Sequence, residues 1–149
     1  MNTYKRIAII IFLLFQLTFY SCSESDDINS IFFDRTWYVT GATINGKSLN
    51  GEAVKSFYTN KDSYYIHLLS NYTFTGKMDY ESYISGVWNV DGTKHLINFK
   101  INNVNNVETN KISQVIFNIF LKTSSYSGDT NNIILKQDRN NCIYMSRNK

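Results

Sequence analysis

The sequence contains no proline, only two cysteines and no strong excess of either charge. Two cysteines are too few for a small fold held together by disulfides. The 15 basic and 12 acidic residues are too balanced for a protein whose main partner is nucleic acid. Seven glycines do not form a low-complexity repeat, and an aromatic content of 15% is too high for a disordered segment. The composition therefore indicates a small, aromatic-rich globular domain.

Residues 1–21 have the features of a secretory signal peptide. Lys5 and Arg6 precede an apolar run that begins at Ile7 and continues, with few interruptions, to Tyr20. This run is shorter than the roughly 20 apolar residues that a transmembrane helix needs. We therefore predict that residues 1–21 are removed, and the alternative is a short membrane anchor that stays in place.

Cys22 follows directly on this segment, and Ser21-Cys22 resembles a bacterial lipobox. The resemblance implies that the Cys22 thiol carries a fatty acyl group such as palmitate and that Cys22 becomes the new N-terminus. The membrane is then a partner of the chain through this lipid anchor. The alternative is an ordinary cysteine near a signal-peptidase site.

Residues 22–31 are predicted to be an acidic, solvated tether, because Glu24, Asp26 and Asp27 cannot begin a buried strand. The stretch also resembles the acidic signal that sends lipoproteins to the cell surface in one phylum of Gram-negative gut bacteria. It therefore indicates an outer-membrane lipoprotein that is exposed at the cell surface, or otherwise held at the periplasmic face. The alternative is a plain acidic linker. Removal of Lys5 and Arg6 leaves 13 basic residues against 12 acidic ones, which gives no argument for nucleic acid as a partner.

Residues 32–149 are predicted to form one mainly β domain. Short runs with alternating apolar residues are separated by Asn, Gly, Asp and Ser, which is typical of half-buried antiparallel strands. Asn45-Gly46 is a strong signal for a two-residue hairpin, because both residues tolerate positive φ. The predicted strands are Arg35–Ile44, Tyr64–Leu69, Tyr72–Met78, Tyr83–Val90, His95–Asn102, Asn132–Gln137 and Asn141–Arg147.

One helix is predicted near residues 110–122. Ile112, Val115, Ile116, Ile119 and Phe120 recur at the spacing of one helical face, and Thr109 or Asn110 could cap it. The β-branched and aromatic residues of this segment would locally favour a strand instead. The whole pattern favours a small antiparallel β-barrel of about 7–8 strands, because closure removes sheet edges that a proline-free sequence does little else to protect.

The barrel resembles the lipocalin-like domains of bacterial surface lipoproteins. The resemblance rests on Thr36-Trp37, on Asn71-Tyr72-Thr73-Phe74 and on Ser85-Gly86-Val87-Trp88. It departs from that pattern at Tyr72 and at Asp34-Arg35, where the family usually has glycine. The C-terminal part is similar to META-type domains, on Phe120-Leu121, Tyr126 and Ile133-Ile134-Leu135. Both resemblances imply a small barrel with a helix against it, and neither implies a known reaction.

Little in the sequence points to chemistry. His67 and His95 have no metal-ligand spacing, and we expect His67 to pack within a strand and His95 to be solvated. Asp79 and Glu81 could form an acid–base pair, but their place between two strands favours a solvated turn. Cys142 is expected to be a small buried residue. We therefore predict no catalytic residue, no metal and no cofactor; the segment from Asp129 to Asn132 also lacks the spacing of a calcium loop.

The aromatic residues are the group with binding potential. Trp37 and Trp88 share strand faces with Val39 and Val90, so both indoles are predicted to point inward and to form a floor with Phe74. These three are the candidate ligand-binding residues. One hypothesis is a non-catalytic lipoprotein whose barrel holds a small apolar molecule or a glycan fragment. The alternative is an envelope protein with a filled barrel that binds another protein, since eight strands suit either interior.

Overall fold

The computed structural model describes residues 26–59, 63–79, 82–105 and 111–148. Within these ranges the chain forms nine strands and three helices. The strands are β1 Arg35–Ile44, β2 Lys47–Ser48, β3 Tyr65–Leu68, β4 Thr73–Lys77, β5 Tyr83–Asp91, β6 Leu96–Asn105, β7 Ser125–Gly128, β8 Asn132–Lys136 and β9 Cys142–Ser146. The helices are α1 Ile28–Ile31, α2 Gly51–Thr59 and α3 Lys111–Leu121.

The sheet closes on itself as an antiparallel barrel. The strands follow the order β1-β3-β4-β5-β6-β7-β8-β9, and β1 pairs with β9 to complete the circle. β2 is a short extra strand that pairs with the end of β1. The predicted fold class, a mainly β barrel of about 7–8 strands with a helix near 110–122, is thus confirmed by an eight-stranded barrel with one added strand.

The turn after β1 has the conformation that the sequence predicts. Asn45 has a φ of 51° and Gly46 a φ of 76°, so both central residues occupy the left-handed region that two-residue hairpin turns use. Ile44 then pairs with Lys47, which fixes the register of β1 against β2. Asp34 and Tyr72 also have positive φ, of 55° and 63°. The lipocalin-like pattern has a glycine at or beside each of these positions, and glycine adopts positive φ without a steric cost.

Alternating burial places one face of each strand inside the barrel. In β6 the side chains of Ile97 and Phe99 are buried while Asn98 and Lys100 are exposed, as the period of two predicts. β6 is longer than expected, since it continues to Asn105 where we had predicted a polar loop from Val104 onward.

Helix α3 turns its apolar face to the core, which confirms the helical prediction over the strand alternative. Ile116, Ile119 and Phe120 are buried, and the helix packs against β6, β8 and β9. It packs beside a short pairing in the barrel: in the described residues, β6 and β7 share one register pair, Leu96 with Ser125. The predicted capping residues, Thr109 and Asn110, lie outside the described residues.

Residues 26–31 differ from the solvated tether that the sequence predicted for residues 22–31. Asp27 accepts hydrogen bonds from the backbone N–H groups of Asn29 and Ser30 and so caps helix α1. The helix turns Ile31 and the following Phe32 into the barrel, where 5% and 0% of their surfaces are exposed. The tether prediction was therefore wrong for this part, because one carboxylate caps a helix whose apolar side chains the prediction overlooked.

Candidate functional site

The three predicted ligand-binding residues all lie in the barrel interior. The exposed fractions of Trp37, Phe74 and Trp88 are 0%, 1% and 3%. This confirms the predicted inward orientation of both tryptophans. Contact of these residues with a ligand stays a prediction. A ligand could bind there only if the barrel has free space around these rings.

Phe74 lies in a cluster with two other phenylalanines. Its ring centroid is 5.5 Å from that of Phe99 and 5.6 Å from that of Phe120, which helix α3 carries into the core. Phe99 and Phe120 are 4.2 Å apart. Gly86 makes this arrangement possible, because a Cβ at that position would lie 2.9 Å from a ring carbon of Phe74. The middle of the barrel is therefore filled by aromatic side chains.

Trp88 also contacts a further set of rings, nearer one end of the barrel. Its ring contacts Phe32 and Phe33, both at a centroid distance of 5.8 Å, and Tyr72 at 5.4 Å. Its indole N–H donates to the backbone carbonyls of Thr73 and Leu69, at 3.1 and 3.3 Å. Trp37, Phe74 and Trp88 all belong to one buried core, and Trp88 lies opposite Phe99, a ring partner of Phe74, in the β5–β6 pairing. The predicted floor of these three residues stays a prediction.

We call the end of the barrel near Trp88 the plugged end, and define it by Asp26–Phe33 and by the turns Ser70–Tyr72 and Asp91–His95. Phe32 closes it from inside, with its ring 4.8 Å from that of Tyr126 in an edge-to-face contact. A Cβ at Gly92 would lie 2.8 Å from Ile28, so helix α1 rests directly on the Asp91–His95 turn. This plug was not predicted, although Ile28, Ile31 and Phe32 follow the Asp27 cap at helical spacing.

Asp26 joins the plug to the barrel through two side chains. Its carboxylate accepts a hydrogen bond of 2.8 Å from the Tyr126 hydroxyl and lies 3.3 Å from Nε2 of His95. Burial, and then the neighbouring Asp26 carboxylate, raise the pKa of Tyr126 well above its ordinary value. His95 is therefore not simply solvated as predicted: its side chain is 49% exposed and faces a carboxylate.

Replacement of Tyr126 by phenylalanine tests this contact. At neutral pH we expect the variant to lose about 1–2 kcal/mol of unfolding free energy, because the carboxylate of Asp26 loses a donor. Since folding raises the pKa of Tyr126, its contribution is complete below about pH 10 and is lost as the pH rises further. The stability gap between wild type and variant should therefore narrow in urea titrations above pH 10. A gap that stays constant into this range would contradict the assigned contact.

The other candidate polar residues serve the fold. Nδ1 of His67 lies 2.8 Å from the Thr36 hydroxyl, which confirms the predicted packed strand histidine. Asp79 is 5% exposed and accepts the backbone N–H of Ser82, so the predicted solvated turn was wrong for it; Glu81 lies outside the described residues. The Asp129 carboxylate accepts the N–H groups of Asn131 and Asn132, which lower its pKa and shape a tight turn.

Of the two cysteines, the structure describes only Cys142. Cys142 is buried, as predicted, and burial raises the pKa of its thiol. Cys22, the predicted lipidation site, lies outside the described residues. In the part of the chain that the structure describes, no helix is long and apolar enough to cross a membrane. The same ranges hold no group of three His, Cys, Asp or Glu side chains placed to bind a metal ion.

A groove of about 560 Å³ lies outside the barrel, at the end opposite the plug. We call this the groove end and define it by the turns Asn45–Asn50 and Asp138–Asn140, which are linked by a hydrogen bond from the Gly46 N–H to the Asn140 carbonyl. The groove is mostly open to solvent, and sequence reasoning missed it because its walls come from β1, β2, α2, α3 and the loop between β2 and α2. Its lining consists of Ile44, Lys47, Ser48, Leu49, Asn50, Glu52, Ala53 and Ile112.

Comparison with known proteins finds one family and one fold. A family model described as a domain of unknown function (DUF4847) matches residues 23–147. A crystal structure of a DUF4847 family protein from Bacteroides vulgatus ATCC 8482 superimposes with a TM-score of 0.64 at 18% sequence identity. The match covers 82% of this chain and 98% of that chain, and at this identity it shows a shared fold alone. No curated protein matches the sequence.

Proposed function

This chain belongs to the DUF4847 family, whose function is unknown, and we propose that it is a lipid-anchored envelope protein that binds another protein through its outer surface. In this proposal the barrel is a filled scaffold, and the protein is not an enzyme. We also propose that the barrel is lipocalin-like and that its own side chains fill its interior.

The observation that carries the proposal is the packing of the barrel interior. Side chains that would line an internal cavity are instead in ring contact with one another, and Phe32 and Phe120 enter the barrel from outside the sheet. Ligand pockets for small molecules are usually preformed cavities of about 300–1,000 Å³. A barrel filled in this way favours surface binding over binding of an internal ligand.

The side chains with acid–base chemistry support a non-catalytic role. His67 is bonded to Thr36, and Asp26 holds the plug to Tyr126. These groups are engaged in contacts that hold strands and helices together. A raised pKa also keeps Tyr126 protonated, which makes it a poor nucleophile or base.

Tryptophan fluorescence tests the filled barrel. We expect Trp37 and Trp88 to resist quenching by iodide in the native protein and to become accessible in urea, because both are buried. Saturating laurate, an apolar probe with a carboxylate head, should leave their emission unchanged. A saturable, one-to-one change in emission would instead place a ligand among these rings and overturn the proposal.

The lipid anchor is tested by replacing Cys22 with alanine. Each buried acyl CH₂ contributes about 0.8 kcal/mol to membrane binding, so two or more chains give stable anchoring. We expect Cys22→Ala to leave the membrane fraction, while Cys142→Ala, which removes the buried thiol, remains there. Retention of Cys22→Ala after high-salt washing would contradict lipidation. Protease shaving of intact cells distinguishes surface display from the periplasmic face.

The groove supports a second candidate function, the binding of a small apolar molecule outside the barrel. Its volume of about 560 Å³ suits such a ligand, and Ile44, Leu49 and Ala53 provide apolar walls beside Lys47 and Glu52. If laurate binds there, Leu49→Arg should abolish binding measured by calorimetry. Leu96→Arg, which changes an exposed leucine outside the groove, should not affect it. Equal binding by both variants would remove this candidate.

A further inference from the structure

We propose that the anchored protein rests on the lipid bilayer with its plugged end facing the headgroups and its groove end directed away from the membrane. The inference rests on the lipidation of Cys22 proposed above, and it names the surface of the barrel that meets the lipid. The partner is a phospholipid surface.

The length of chain between Cys22 and the barrel carries the argument. Three residues, 23–25, separate Cys22 from Asp26. Even fully extended, this connection spans about 14 Å. Asp26 is held in place at the plugged end by Tyr126, and its backbone carbonyl lies close to Gly92. The plugged end therefore cannot move farther from the acyl chains than this short reach allows.

The dimensions of the barrel make the two ends distinguishable. The ten residues of β1 run from the plugged end to the groove end and extend over about 33 Å along the strand. With a strand tilt of 35–45°, the ends are separated by about 25 Å. This separation exceeds the reach of residues 23–25, so the barrel cannot rest on its groove end with the plugged end directed away from the membrane.

The plugged end exposes an aromatic side chain that suits a bilayer interface, but its charges do not favour anionic lipids. Tyr72 is 46% exposed beside the ring of Phe33, and tyrosine is enriched at membrane–water interfaces. The charged residues near this end are mostly acidic, so anionic lipids would not attract it. The orientation should therefore come from the tether and persist at high salt. These charged residues are Asp26, Asp27, Asp34, Asp91 and Asp129 together with Arg35, Lys94 and Arg147.

A matched pair of labelled variants tests the orientation. Lys94→Cys places a fluorophore at the plugged end and Lys47→Cys places one at the groove end, and each removes one exposed lysine. The acylated mature proteins are purified from membranes and placed in phosphatidylcholine vesicles that contain a lipid with a nitroxide on its headgroup. Cys22 is blocked by its acyl group and Cys142 is buried, so the label reports the introduced cysteine.

We expect quenching at position 94 to be several-fold stronger than at position 47, at low and at high salt. Insertion of about 15 Gly/Ser residues between Ser25 and Asp26 adds a flexible span of about 20 Å and should make the two labels equal. Equal quenching without the insertion, or stronger quenching at position 47, would overturn the orientation. Failure of the unmodified protein to float with vesicles would overturn the lipid anchor itself and the orientation with it.

Discussion

Replacement of Trp88 by alanine should lower the free energy of unfolding by about 3–5 kcal/mol, the usual range for removing a large buried aromatic side chain. The expected loss is large because Trp88 joins the plug to the sheet: its ring contacts Phe32 and Phe33, and its N–H is hydrogen-bonded to Thr73 and Leu69. Urea denaturation followed by circular dichroism measures the effect. A loss below 1 kcal/mol would mean that the plug is not packed as described.

The two tryptophans provide a sharper comparison when each is replaced by phenylalanine. The indole N–H of Trp37 is buried and has no hydrogen-bond partner among the described residues, whereas that of Trp88 donates to two carbonyls. Trp37→Phe removes an unsatisfied donor, and Trp88→Phe removes a satisfied one. We expect Trp88→Phe to be the more destabilising by about 1–2 kcal/mol. The opposite order would contradict the assigned bonding of the two rings.

Replacement of Gly86 by alanine should destabilise the barrel by about 3 kcal/mol, although it adds only a methyl group. A Cβ at this position would lie 2.1 Å from the backbone carbonyl oxygen of Lys100 and 2.9 Å from the Phe74 ring. β5 and β6 also change register between Ser85 and Gly86, so the added atom meets backbone that has little freedom to shift.

Gly51→Ala is the matched control for this substitution. Gly51 begins helix α2, and a Cβ there would meet no atom within 4 Å. Alanine has the higher helix propensity, so we expect the control to be neutral or up to about 1 kcal/mol more stable. Thermal unfolding of the two variants side by side measures the difference. Similar stability of both proteins would show that the strands do not approach each other closely at Gly86.

Local signals in the sequence predicted the parts of the fold that depend on neighbouring residues. Asn45-Gly46 marks the end of β1 because its backbone preference is intrinsic to those two residues. The spacing of Ile112, Ile116 and Ile119 predicted helix α3 in spite of their β-branched side chains, because burial of one face outweighs local propensity.

Contacts between distant residues explain what the sequence analysis missed. Asp26 resembles part of a solvated linker until Tyr126, a hundred positions away, is known to donate to its carboxylate. β7 was not predicted, since Ser125–Gly128 is short and its strand conformation depends on pairing with β8. The alternation of apolar and polar residues correctly predicted that Trp37 and Trp88 point inward. This alternation cannot show whether the barrel is hollow. That depended on Phe32 and Phe120, which enter it from outside the sheet.

The pairing of β1 with β9 has a consequence for how the protein reaches its native state. Gly41 pairs with Tyr144, so the ladder that closes the barrel joins residues about a hundred positions apart. Such non-local pairing has a high entropic cost of loop closure, and this cost slows folding. Until β9 has been synthesised, only the edge of β1 that pairs with β3 can be covered. The other edge presents unpaired N–H and C=O groups, with which other chains could pair. A chain that ends before Cys142 therefore lacks the strand that covers this edge of β1.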